Sequence, residues 1–204
     1  MPSRPRTGLD DFFGVLRDVH KIALVAAGGL ILLPLLAGLG GYVPPWPAGI
    51  VGITSLVEIV VLITVFQFMA RASRAKASWV ILGAAILVLT LSAIYLLTSA
   101  IFVYAIPNNT TRVVLGCGLS EKTRLILLAS YGRLPTDVCP GDFALMLASA
   151  QYETDIVWSK LSVSLIKGAL ALSWLGAFGA LAALFGVFVS FQRRQRPLPA
   201  TRRT

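Results

Sequence analysis

The sequence predicts an all-α integral membrane protein: four transmembrane helices, with a small disulfide-stapled helical outer loop between the third and the fourth. Three observations predict it. Hydrophobic residues make up 56% of the 204 and charged ones only 13%, with a mean hydropathy of +0.80. A soluble domain is about a quarter charged. Apolar runs recur four times at the length needed to cross the roughly 30 Å hydrocarbon layer, about 20 helical residues each. The basic residues gather in short clusters beside those runs. The net charge of +9 does not point to a nucleic-acid partner. That reading needs a solvated basic face or a recognised module, and membrane topology explains the same charges better.

Residues 1–21 form the N-terminal segment. Leu9, Phe12, Phe13, Leu16 and His20 recur at helical spacing, and Thr7 with Asp10 makes a capping box. A short amphipathic helix on the inner leaflet is expected here. Three aspartates, a long apolar run behind them and no small-residue cleavage site separate it from a signal peptide. The first span, 22–42, contains Gly28, Gly29 and Pro34. Pro34 leaves the carbonyl of Leu30 without its usual donor, so a kink is expected. The turn after it (VPPWPA) has three prolines that cannot extend a helix, and its Trp46 suits the headgroup layer.

The second span is 49–70 and the third 78–106. The third would reach about 43 Å as a helix, so it tilts or projects. Pro107 stops it. Asn108 and Asn109 each satisfy the N-x-[ST] pattern, a weak four-letter signal. The outer loop is 107–160, the fourth span 164–191 and the tail 192–204.

Orientation follows from the flanks. Arg4, Arg6, Arg17 and Lys21 precede the first span; Arg71, Arg74 and Lys76 separate the second and third. Arg193, Arg194, Arg196, Arg202 and Arg203 follow the fourth. Four crossings put all twelve on one side. Basic clusters in short loops stay cytoplasmic, so both termini face in and the 107–160 loop is extracytoplasmic, in a cell membrane.

Cys117 and Cys139 are the only cysteines. On an oxidising face such a pair bridges, closing a loop of about 22 residues worth on the order of 3 kcal/mol. Between them SEKTRLILLASYG reads as a helix capped by Ser120 and stopped by Gly132, with Leu125, Leu128 and Tyr131 covering one face. Asp142 caps a second helix, FALMLASAQYE. The chain restarts near Thr154 or Asp155, with Trp158 at the outer headgroups. A catalytic thiol is disfavoured: there is no CxxC, and the sole His20 belongs to the other side. The layout of four spans, short first outer loop and larger cysteine-bearing second one resembles that of tetraspanins in topology. The loop has Gly116-Cys117-Gly118 where tetraspanins double the cysteine, so no functional residue is carried across.

One His and two separated Cys do not make a zinc site, and no phosphate loop, Ser-His-Asp set or nucleotide signature is present. No metal, no cofactor and no enzymatic activity are expected. The chemical oddity is Glu58, at about the bilayer midplane of the second span. An ionised carboxylate there costs at least about 2.5 kcal/mol. Protonation, an inward-facing position or a partner lowers that cost. Thr54 and Ser55, at i−4 and i−3, share its face. Lys167 of the fourth span lies at a similar depth and is the candidate ionic partner, although 168–191 alone is long enough to span and would leave Lys167 snorkelling outward. Ala169, Ser173, Gly176, Ala180 and Ala183 form a small-residue stripe that lets another helix approach.

The expected function is that of a non-enzymatic assembly, accessory or pore-forming subunit. It would work through helix packing and its outer cap, with the lipid bilayer and either copies of itself or other membrane proteins as partners. The alternative is a small transporter or channel in which Glu58 holds a proton or cation.

Overall fold

The computed structural model describes residues 34–69, 72–106, 111–131, 139 and 144–194. The expected amphipathic N-terminal helix, most of the first span, the asparagine pair, Gly132, Asp142 and the end of the basic tail lie outside them. Three helices are long and apolar enough to cross a membrane. They are α1 (Ile50–Met69), α2 (Arg74–Phe102) and α6 (Lys160–Arg194). Between the last two come β1 (Val103–Ala105), β2 (Arg112–Val114) and three short helices, α3 (Glu121–Tyr131), α4 (Ala144–Ser149) and α5 (Thr154–Val157).

Ahead of α1, residues 34–39 are helical. Their end is closed by the Tyr42 amide on the Ala37 carbonyl (2.8 Å) and the Gly41 amide on the Gly38 carbonyl (3.0 Å). Gly41 has φ 73°, a left-handed position that costs glycine little. Pro34 is buried at the start of this stretch; the kink expected there depends on residues outside the described set.

The third span departs from expectation. Its helix begins at Arg74, inside the basic loop, and stops at Phe102. Residues Val103–Ala105 leave the helix and pair antiparallel with Arg112–Val114, Tyr104 opposite Val113. The protein is therefore helical with one small sheet rather than all-α. Val103, Tyr104, Val113 and Val114 are β-branched or aromatic and suit a strand. The apolar run through Ile106 hides this strand in the sequence.

The chain divides into two compact units. The first holds α1, α2 as far as Leu91 and α6 from Leu175. Its buried side chains include Ile50, Thr54, Glu58 and Phe66 of α1, Ala77 and Ala84 of α2, and Ala177, Ala180, Ala182 and Val187 of α6. α1 and α6 run in the same direction. A Cβ on Gly179 would meet Val57 at 3.6 Å and Val61 at 3.8 Å, and one on Gly186 would meet Val65 at 3.0 Å and Leu62 at 3.3 Å. Rising numbers on one helix thus meet rising numbers on the other.

The second unit holds residues 44–48, the rest of α2, the hairpin, the short helices and α6 to Trp174. Its core is Leu147, Val157, Trp158 and Val163, covered by Tyr104, Val113, Leu115, Leu119 and Tyr152. Trp158 was expected among outer headgroups; it is 0% exposed. Leu119 bridges to it as an isolated strand pair, and its backbone is extended (φ −106°, ψ 160°). α6 therefore starts afresh at Lys160 and not at Thr154. The expected FALMLASAQYE helix shortens to α4, closed by the Tyr152 amide on the Leu147 carbonyl (2.9 Å) and by Gln151 and Tyr152 at φ 53° and 64°.

Candidate functional site

Glu58 sits on the buried stripe of α1, four residues after Thr54 and eight after Ile50, so all three share one face. It is 2% exposed, and neither carboxylate oxygen has a hydrogen-bond partner among the described residues. The two hydroxyls expected on its face both donate to the helix backbone. Thr54 Oγ1 donates to the Ile50 carbonyl at 2.8 Å, and Ser55 Oγ donates to the Val51 carbonyl at 3.2 Å. Each hydroxyl has one proton to give, and in both it goes to a carbonyl of α1 rather than to Glu58. Lys167 is half-buried and belongs to the second unit, whereas Glu58 belongs to the first. Thr90 is exposed and Ser92 half-buried.

Of the small-residue stripe on α6, Ser173 and Ala180 are buried, Gly176 and Ala183 half-buried, and Ala169 exposed. Ser173 Oγ donates back to the Ala169 carbonyl at 2.7 Å. Gly176 faces Leu91 of α2, whose Cδ1 would lie 2.7 Å from an added Cβ. The closest approach to α1 is made instead by Gly179 and Gly186, with Ala182 fully buried between them.

In the second unit Cys117 and Cys139 stand at disulfide distance, with Cα atoms 5.1 Å apart. The cap is laced to the start of α6 by polar bonds. The Cys117 amide donates to Ser162 Oγ (3.2 Å), the Ser159 amide to the Gly118 carbonyl (3.0 Å) and the Ser120 amide to the Val157 carbonyl (2.9 Å). Ser120 caps α3 as expected, its Oγ accepting the Thr123 amide at 3.2 Å. Gly116 lies against Trp158: an added Cβ would come 2.5 Å from Trp158 Cβ. Among the described residues no group of three His, Cys, Asp or Glu could hold a metal ion.

The class these observations define is a mostly helical chain with three membrane-length apolar helices and a small mixed cap joining the last two. No family model, curated protein or solved structure matches the chain.

Proposed function

We propose that the chain is a four-span membrane protein with a disulfide-stapled outer cap and cytoplasmic termini. It acts as a non-enzymatic assembly, accessory or pore-forming subunit. The observation that carries this reading is the third span. α2 leaves Trp79 (73%), Leu82, Ile86, Leu87, Leu89 (72%), Leu96 and Leu97 exposed along its length. Such a face suits lipid or another membrane helix. The glycine-lined contact of α6 with α1 supports the same theme of close helix packing. Mass measurement in native lipid tests it: masses at a multiple of the 21.8 kDa chain, or of the chain with a partner, are expected. A lone protomer at all concentrations would remove it.

A second reading is supported by one specific observation, the buried carboxylate of Glu58 without a hydrogen-bond partner among the described residues. In that reading the protein is a small transporter or channel and Glu58 is its ion-handling group, paired or not with Lys167. Ionisable side chains inside a membrane mark ion and proton paths more often than they serve packing. Proton or cation flux in liposomes, lost in Glu58→Gln, is the expected result; equal flux in the variant would sink it.

A further inference from the structure

We infer that the ligand of Glu58 is a proton, exchanged with solvent while the protein stays folded; the inference rests on the second reading above. The carboxyl group is closed off from solvent, and its two oxygens have no hydrogen-bond partner among the described residues. A carboxylate left in apolar surroundings without a counter-charge is too costly to persist, so the site is one that must be occupied. What can occupy it is limited by what surrounds it.

Within α1 Glu58 is the sole ionisable residue. The part of α2 in the same unit carries ionisable groups only at its beginning, Arg74 and Lys76; the part of α6 there carries them only at its end, Arg193 and Arg194. Lys167, in the other unit, is tested separately by Lys167→Met. A divalent cation takes six or more oxygens and several charges, and among the described residues no cluster of acids or metal-ligating groups exists. A bare monovalent cation also needs several oxygens in place of its water. The hydroxyls of Thr54 and Ser55, whose protons go to α1's own carbonyls, are the oxygens nearest in sequence, and neither is hydrogen-bonded to the carboxylate. The glycine face of α6 packs on Val57 and Val61, apolar neighbours of Glu58 in the α1 sequence. A single buried carboxylate with no hydrogen-bond partner among the described residues is neutralised by one proton on one oxygen.

A lipid-soluble carbodiimide reads this state directly, because it reacts with a protonated carboxyl in an apolar setting. The acid proton moves to a carbodiimide nitrogen and the carboxylate oxygen adds to its central carbon. The adduct rearranges to a stable acylurea with nothing lost. Full-length protein in lipid nanodiscs, treated with dicyclohexylcarbodiimide and mapped by mass spectrometry, is expected to carry one adduct on Glu58. The yield should fall about tenfold per pH unit on the alkaline side of its midpoint and recover on reacidification. Glu58→Asp should keep the adduct and Glu58→Gln lose it. No adduct at any pH from about 5 to 9 in folded protein, or a yield indifferent to pH, overturns the proposal. So does an unlabelled wild type that becomes labelled in Lys167→Met, since that lysine would then be the counter-charge. A titrating adduct without proton flux in liposomes keeps the proton site and removes only the transporter reading.

Discussion

At Gly116 a single hydrogen in place of a methyl decides whether the cap closes. An added Cβ would lie 2.5 Å from Trp158 Cβ and 2.7 Å from Ser162 Oγ, and neither neighbour is the loose end of a long side chain. Trp158 is fully buried, and Ser162 Oγ accepts the Cys117 amide while donating to the Ser159 carbonyl at 3.0 Å. Overpacking of this kind costs about 1–3 kcal/mol. Gly116→Ala should lower the unfolding midpoint of the cap in denaturant, followed by tryptophan fluorescence, and a midpoint equal to wild type would refute the contact. The sequence showed Cys117 because cysteine is rare and chemically loud; it hid Gly116 because close approach is made by residues more than forty positions away. Trp158 was misplaced for a related reason. An aromatic beside an apolar run satisfies the headgroup rule, and only the hairpin and α4 folding over it make it a core residue. Glu58 was the reverse case. An acid inside an oily run is visible without any structure, whereas the loss of Thr54 and Ser55 as its donors appears only once their hydroxyls are seen on the helix backbone.

Among the elements, those set by local pattern were legible and those set by distant pairing were not. α1 runs Ile50–Met69 where 49–70 is expected, because an apolar stretch with Glu58 as its one ionisable residue and a glycine-rich start leave few alternatives. α2 did not end where its apolar run ended, because strand pairing of Val103–Ala105 competes with helix at the same hydrophobicity. Gly176 of the expected small-residue stripe on α6 lies against Leu91 of α2, while Gly179 and Gly186, on another row, lie against α1. Small residues occupy several rows of that helix, and the row that touches α1 is chosen by Val57, Val61, Leu62 and Val65. That choice gives a graded prediction. At Gly179 an added Cβ meets only ordinary contacts, at 3.6 and 3.8 Å, so Gly179→Ala should stay within about 1 kcal/mol of wild type. At Gly186 the same atom meets Val65 at 3.0 Å, and a larger group has nowhere to go. Gly186→Leu should therefore cost about 1–3 kcal/mol, seen as a lower thermal midpoint in detergent. Equal midpoints for Gly179→Ala and Gly186→Leu would show that α6 does not pack on α1 by this face.

For the molecule as a whole the decisive question is which parts lie on which side of the bilayer. Within the first unit α1 and α6 run the same way, as Gly179 beside Val57 and Gly186 beside Val65 require. Two parallel crossings joined by one intervening span need that span to return the chain, and α2 has the length and apolar character to do so. The ends reached by this path carry different chemistry. Arg71, Arg74 and Lys76 lie at the α1–α2 junction, and Arg193, Arg194, Arg196, Arg202 and Arg203 at and after the end of α6; the α2–α6 connection mixes acids with bases and contains both cysteines. In the four-span proposal the positive-inside rule places the first set in the cytosol. An impermeant maleimide applied to intact cells should label Cys117 and Cys139 after mild reduction and not before, since the pair stands at disulfide distance. A cysteine at Arg202 in a variant lacking the native pair should be labelled only once the membrane is opened. Labelling of positions 117 and 202 from the same side would break the alternation of spans. The depth assigned to Glu58, and with it the proton site, would have to be abandoned.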